Sequence, residues 1–566
     1  MKQIIVCLIV LITVDIFSQS VEPSFTIEIN SLKLPISNDG TIAFNQIADS
    51  TEVFGATFDN NIILSSGGFA LSGLFNGKVW SSSVIPDQRV IDYLPGKIGA
   101  ESTDSTNKIF ILKSTDLPFG QSWIEWAKAT SQGADFYDGN KDGIYNPVDL
   151  NENGKWDMDE DSPDLIGDIT TWSVFNDGVP SSKRKLPEEP SKIEIKQTVF
   201  AYLKDSYEEL DGVIFMRYQI ENKSEAIYDS VFFSIANNPC IGNGKNDLVG
   251  CDTNLNATYG YDKSEDEVYG NSPSIFALLL QGAPIYIPGK TFIDNNENNI
   301  YDSGIDLPVD TATFKNGESI GQSFFPGAKN QNMTSTYSYY SGNIGPFYPN
   351  TSTELRNNQK GLSRIGENID VCNGPFPSVI GEDCATISPY YVFSGDPTIP
   401  KGWIQENQGD QSSLNSSGPF TLNPYEPIDI IVAYIAGRGN TSIESVKITK
   451  GIAENTIGFY NTNFSYIPVG VKYYKNQLPN SFELSQNYPN PFNPSTKIQF
   501  SVPEQSHVTL NVFNILGQKV ATLVNGIKTS GNYEVSFDAA KLSTGVYIYR
   551  LEAGNNTITK KMTLLK

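Results

Sequence analysis

IEIKQTVFAYLKDSYEELDGVIFMRYQIENKSEAIYDSVFFSIA, residues 193–236, decides the fold. In its middle run Ile214, Met216, Tyr218 and Ile220 alternate with Phe215, Arg217, Gln219 and Glu221; in its last run Val231, Phe233 and Ile235 fall on one face. Successive side chains of a strand point to opposite faces, so this period of two describes strands with one buried face. Asp211-Gly212 and the segment 222–225 separate the runs like hairpin turns, which predicts an antiparallel meander.

Outward from there the same grammar continues. Short strand-like runs at 25–29, 41–44, 62–64 and 108–112 are punctuated by Gly, Asn and Asp. Residues 181–192 (SSKRKLPEEPSK) read as a surface linker, and 326–362, rich in Asn, Ser, Thr, Tyr and Gly, as a long loop. In 441–462 the apolar residues partly follow a 3.6 period, with Thr441 or Ser442 as cap and Glu444 in the first turn, so one helix packed on the sheet is expected. With 566 residues, including 28 Tyr, 31 Phe, 47 Gly and 32 Pro, the chain has room for three or four domains and the composition of a turn-rich β protein. The fold class is mainly β: a multi-domain antiparallel β-sandwich body with a possible single packed helix, plus a C-terminal Ig-like β-sandwich. The expected divisions are 1–20, 21–180 with an acidic insertion at 135–164, 193–470, and 480–566.

Charge and cysteines set the compartment. Forty basic against 64 acidic residues give a net charge of −24, which argues against a nucleic-acid partner because phosphates need a basic face. The single histidine, His507, nearly removes His-based zinc sites and Ser-His or Cys-His catalysis. Residues 1–20 read as a secretory signal peptide: Lys2, an apolar run from 4 to 14, then Ser18 and Ser20 before Val21; a buried first strand or helix is the rival reading. No later segment is long and apolar enough to span a bilayer. Cys7 leaves with the signal, and in an oxidising compartment Cys240 with Cys251 and Cys372 with Cys384 are expected to form local disulfides, with a metal site as the rival.

A boundary near 480 precedes NYPNPFNPST (487–496), where three prolines confine the chain to extended or turn geometry, and then short strands punctuated by Gly517, Gly526, Gly531 and Gly545. Four blocks, SFELSQNYPNPFNPSTKIQFSVPE (481–504), FNILGQKVATLVN (513–525), GVYIYRLEAG (545–554) and TKKMTLLK (559–566), resemble the type A C-terminal sorting domain of the type IX secretion system of Bacteroidota and related bacteria. The resemblance implies Sec export, recognition of the tail by the secretion machinery at the outer membrane, and release or attachment to surface lipopolysaccharide. Eight bases and five acids make residues 480–566 net +3, leaving −27 for 21–479. The body segments 67–80, 168–177 and 246–256 are similar to those of uncharacterised secreted proteins with the same tail, which supplies no activity.

The densest chemistry is DGNKDGIYNPVDLNENGKWDMDED (138–161). Counting Asp138 as position 1 places Asn140 at 3, Asp142 at 5, Gly143 at 6, the Ile144 carbonyl at 7, Asn146 at 9 and Asp149 at 12. Restarting at Asp149 places Asn151, Asn153, Gly154, the Lys155 carbonyl, Asp157 and Glu160 in the same slots. A third loop runs through Asp294, Asn296, Asn298, Asn299 in the glycine slot, Asp302, and Asp306 one position late. Alternating oxygen donors, a sharp-turn glycine and a late carboxylate are what a calcium loop needs, and oxygen-only ligands favour Ca2+ over zinc or copper. The loops resemble calcium repeats of the dockerin and thrombospondin type 3 kinds, although Pro147 argues against flanking helices. The rival is a solvated turn cluster without metal.

Two functional classes follow. One is a non-enzymatic secreted or cell-surface protein, an adhesin, structural or glycan-binding module, with Trp80, Trp123, Trp126, Trp172 and Trp403 as candidate sugar platforms or core aromatics. The other is a carboxylate-dependent glycoside hydrolase, for which Glu125, between Trp123 and Trp126, is the place to look.

Overall fold

The structure is a computed structural model that describes residues 24–46, 53–314, 317, 320–340, 348–374, 378–464, 482–503, 506–515, 518–528, 531–539, 542–553 and 556–565. The signal-peptide reading (1–20) and the boundary near 480 lie outside the described residues. The chain divides into two compact units, Met1–Phe464 and Ser465–Lys566.

The first unit is built on two nine-stranded antiparallel sheets. The first sheet runs Ser24–Ile27, Leu32–Ser37, Ala56–Phe58, Asn61–Phe75, Tyr228–Pro239, Gln411–Leu422, Ser335–Tyr340, with Lys78–Ile85 paired to Asn61–Phe75. The second runs Phe110–Lys113, Ile169–Asn176, Ile193–Ala201, Val213–Asn222, Ile428–Gly437, Ser274–Gln281, Ala257–Asp262, Asp247–Asp252. Each sheet draws strands from both sides of residues 181–192, so that stretch does not separate two folding units as expected.

The deciding stretch splits between the sheets. Ile193–Ala201 and Val213–Asn222 form the expected hairpin, with Ile214 opposite Ala201. The third run does not continue the meander: Tyr228–Pro239 crosses to the first sheet, between Asn61–Phe75 and Gln411–Leu422. Period-two patterning fixes which residues share a face, not which sheet a strand joins. The predicted face is correct, since Ile214, Met216, Tyr218 and Ile220 meet Phe69, Phe233 and Ile235 in the inter-sheet core. Burying each such side chain is worth about 1.5–3 kcal/mol. The opposite face is buried too. Phe215, Ile431, Ala433 and Ile435 pack under Val446 and Ala453 of a helix, and Arg217 is neutralised by Asp164 at 2.7 Å.

That helix, Ser442–Asn461, is the predicted one, capped by Thr441 Oγ1, which accepts the Glu444 N–H at 3.1 Å. Gly437 lets it approach the sheet: a Cβ there would lie 2.6 Å from Thr449 Oγ1. Two further helices occur. Gln121–Ser131 buries Trp123, Trp126 and Ala129 against Phe110 and Trp172. Ser352–Gln359 falls within the stretch expected to be a loop, as does the strand Ser335–Tyr340. It escapes an apolar-period reading because its buried face is polar: Gln359 bonds Ser72 at 2.5 Å and Ser234 at 2.9 Å, and Ser352 bonds Ser81 at 2.7 Å.

The second unit is a two-sheet sandwich. A three-stranded sheet, Glu483–Leu484, Ser495–Val502 and Gly531–Asp538, and a four-stranded sheet, Lys519–Lys528, Ser506–Asn514, Gly545–Ala553 and Asn556–Leu564, enclose one core. Ile498 and Phe500 of the first meet Leu510, Tyr549, Leu551 and Met562 of the second.

Candidate functional site: the acidic loops and the sorting module

Both acidic insertions stand on a two-residue antiparallel stem. Tyr137 pairs with Ser162 beneath 138–161, and Ile293 with Leu307 beneath 294–306. Above the stems the three predicted loops adopt one backbone. Position 6 is left-handed in each, at Gly143 (φ 78), Gly154 (φ 74) and Asn299 (φ 63), and so is position 4, at Lys141, Glu152 and Glu297. The position-1 carboxylate bonds the position-6 amide in all three: Asp138 to Gly143 at 2.9 Å, Asp149 to Gly154 at 2.6 Å, Asp294 to Asn299 at 2.6 Å. Positions 3 and 5 fold inward likewise: Asn140, Asn151 and Asn296 accept the amide of position 5, and Asp142, Asn153 and Asn298 that of position 7.

The closing carboxylate is where expectation and structure part. In the second loop Glu160 accepts the Leu150 and Asp157 amides at 2.6 and 2.9 Å. In the third, Asp306 accepts those of Asn295 and Asp302 at 2.8 and 2.7 Å. In the first loop that role does not fall to Asp149. Asp161 fills it, accepting Gly139 at 3.1 Å and Asn146 at 2.7 Å across the whole of the second loop. Gly139 makes this closure possible, since a Cβ there would lie 2.4 Å from the Glu160 carbonyl. The signal was present: Asp161 and Asp306 each directly precede the return strand, so counting back from the exit finds both. The donor set is oxygen-only, but its side chains bond backbone amides and one another, as Asn151 and Asn153 do Asp157 at 2.8 Å. Among the described residues no three His, Cys, Asp or Glu side chains converge to hold a metal ion.

The other candidates are placed as follows. Cys372 and Cys384 form a disulfide with a Cα–Cα distance of 5.3 Å. Cys240 and Cys251 do not; both are buried thiols. Cys240 follows a strand of the first sheet and Cys251 sits within one of the second, so closeness in sequence does not bring them together. Trp80, Trp123, Trp126, Trp172 and Trp403 are all buried, so none offers a face to a sugar. Glu125 is held by Lys108 at 2.8 Å, and that bond, with Gln121, keeps its carboxyl below the usual range. A recess of about 320 Å3 beside Trp403 is lined by Glu382 and Asp396, but Lys401 holds the first and Lys450 the second, each at 3.0 Å. Burial acts against Asp396 ionising; the Thr398 and Lys450 bonds outweigh it and hold the carboxyl low.

In the second unit the sequence blocks converge. Asn487, buried in the NYPNPF block, donates its side-chain amide to the Pro489 carbonyl and to Thr496 Oγ1, both at 3.0 Å. Phe492 exchanges backbone bonds with Thr563 and Leu565 of the last block, each 2.9 Å. Lys561 is exposed and Lys560 half-buried. Residues 486–564 match the family described as Secretion system C-terminal sorting domain. The chain is thus a protein carrying a type IX sorting tail, which implies export to the cell surface or beyond. Among the described residues no helix is long and apolar enough to cross a membrane.

No curated protein matches the chain. Of solved structures, a polysaccharide lyase aligns at 10% identity and a TM-score of 0.18, covering 66% of this chain and 34% of the lyase. The chain spans about a third of that protein's length, and so slight a likeness carries no argument.

Proposed function

We propose that the body is a non-enzymatic extracellular protein, adhesive or structural, delivered by the sorting tail and stiffened by calcium in its three acidic loops. The observation that supports it most is that the body's candidate reactive groups are engaged within the fold. Glu125, Glu382 and Asp396 are each bound by a lysine, and the tryptophans that would have formed a sugar platform are core. A glycosidase needs one carboxyl able to donate a proton and a second free to attack or to activate water; a lysine-paired carboxylate is a poor proton donor.

Calcium would be held by the side-chain oxygens of Asp138, Asn140, Asp142 and Asp161, of Asp149, Asn151, Asn153, Asp157 and Glu160, and of Asp294, Asn296, Asn298, Asp302 and Asp306, with the Ile144 and Lys155 carbonyls. Its role there is structural, drawing each loop closed on its stem. On the cell surface the partners are the secretion machinery through the tail and, through the body, surface lipopolysaccharide or an extracellular glycan. The test is a screen of residues 21–479 for glycan hydrolysis and glycan binding in calcium, beside surface display of the chain with 480–566 deleted. Reproducible turnover abolished by a single carboxylate substitution overturns the non-enzymatic reading. Normal display of the truncated chain overturns the role of the tail.

A further inference from the structure

The two sheets of the second unit differ in what they turn outward. Along Ser495–Val502 the outward residues are Ser495, Lys497, Gln499 and Ser501, none of them apolar. The four-stranded sheet does otherwise. Leu510, Val512, Tyr547, Tyr549 and Leu551 fill the core, and successive residues of a strand alternate between faces, so Asn511, Phe513, Val546, Ile548 and Arg550 lie on the outer one. The register then sets four side chains in one row across the sheet: Lys519 opposite Phe513, Phe513 opposite Ile548, and Ile548 opposite Lys561. Two apolar side chains stand side by side with a lysine at each end.

Phe513 and Ile548 are half-buried, and Val546, two residues along the strand from Ile548, is 43% exposed. None of the three belongs to the sandwich core or packs against it. A single exposed apolar residue is ordinary, but adjoining ones rimmed by charge mark an interaction surface. The rim here is basic. Lys519, Lys561 and Arg550 are exposed, and the Arg550 guanidinium lies 5.2 Å from the centre of the Phe513 ring. Glu552, on the same face, is engaged by Arg550 at 3.8 Å and accepts the Thr509 hydroxyl at 3.2 Å.

An apolar centre holding an aromatic ring and an arginine, inside a charged rim, is how protein interfaces are built. The sign of the rim selects the partner: residues 480–566 are net +3 where 21–479 carry −27, so this module is where the chain can meet an acidic surface. A lipid surface fits less well, because the strands hold these side chains in a sheet with no projecting tip to insert, and Glu552 would face the lipid phosphates. We propose that the outer face of the four-stranded sheet, centred on Phe513 and Ile548, is the surface by which the tail docks on the secretion machinery, and that the partner protein meets it with carboxylates around an apolar patch. The inference rests on the sorting role of the tail and adds to it the face used and the chemistry of the partner.

The test follows surface display of the full chain in the cell that makes it, with the melting of each purified variant as a check on folding. Lys519→Glu with Lys561→Glu reverses both ends of the row at exposed positions, and Ile548→Ser empties its centre. Each is expected to cut the displayed fraction about tenfold and to leave the chain in the periplasm, while the transition that belongs to residues 480–566 stays where it is in the parent. Lys497→Glu, on the polar outer face of the other sheet, should be displayed like the parent. Normal display of both row variants, with the chain lacking 480–566 still trapped, overturns the docking face and leaves the sorting role of the tail standing. Equal loss in Lys497→Glu means that total charge rather than this face is read, and overturns it too. If the purified chain binds vesicles of lipopolysaccharide and the row variants do not, the face meets the lipid surface and the acidic protein partner is wrong.

Discussion

The backbone N–H of Asn487 donates to Tyr549 Oη at 2.9 Å, and the Tyr549 hydroxyl donates in turn to the Ser485 carbonyl at 2.9 Å. The NYPNPF segment and the GVYIYR strand are some sixty residues apart in sequence, and this relay joins them inside the sandwich. Tyr549 is fully buried and Asn487 nearly so. The block that looks most like a linear recognition motif is therefore, at Asn487, part of the core.

Tyr549→Phe keeps the ring and removes the relay, leaving the Asn487 amide buried without its acceptor. Such a loss costs about 1–3 kcal/mol. The transition that disappears when 480–566 is deleted should move to lower temperature in a calorimetric scan, while the body's transition stays in place. An unchanged melt would mean that water takes over from the hydroxyl.

A second buried network governs how the body responds to pH. Arg184, fully buried, lies 3.9 Å from Asp92 and 3.7 Å from Asp177. Burial raises Asp92 to about 6 and Asp177 to about 7, with Arg184 pulling the other way. Both values stand above the unfolded value of about 3.9. The native state therefore holds more protons than the unfolded one, and stability falls as pH rises through the folded values. The body should melt highest near pH 5 and progressively lower toward pH 7.5. Arg184→Met removes the opposing charge, extends the decline to higher pH and costs about 3–5 kcal/mol near neutrality. A melting temperature that climbs steadily from pH 5 to 8 would rule this network out as the controlling one.

How far the sequence could be read depended on whether each signal was local. The faces of Val213–Asn222, the cap at Thr441 and the repeated loop spacing are all set within a few residues, and each is found in the structure. Strand order is not local: nothing in 222–228 says that Tyr228–Pro239 leaves its neighbour for the other sheet. The helix Ser352–Gln359 was hidden because serines and glutamine, not an apolar stripe, face the sheet. Asp161 was hidden because its loop closes across a second loop inserted within it.

The cysteines give a chemical check on the sheet assignment. With the first twenty residues removed, four remain, of which Cys372 and Cys384 are bonded. Burial pushes the Cys251 thiol up to about 12, so little thiolate exists at pH 8. A thiol reagent should find none reactive in the native chain, two in denaturant, and four after reduction. Reduction alone should cost about 2–4 kcal/mol, the usual range for a short native loop. Finding no free thiol in denaturant would mean that Cys240 and Cys251 are bonded after all.

The closing carboxylates separate the calcium reading from a purely structural turn cluster. Asp161 is buried and holds the Gly139 and Asn146 amides, as Asp306 holds those of Asn295 and Asp302. Asp161→Asn retains one acceptor and loses the charge. Without metal it should lower the melting temperature modestly, by about 1–2 kcal/mol of stability, equally in calcium and in chelator. With metal it should also weaken a single ion in a calcium titration, leaving the loops closed by Glu160 and Asp306 unchanged. Because Asp149 does not close the first loop, Asp149→Asn should act on the second loop alone. If instead Asp149→Asn weakens two ions and Asp161→Asn none, the closure follows the twelve-residue count from Asp138, and the stem-exit rule is wrong.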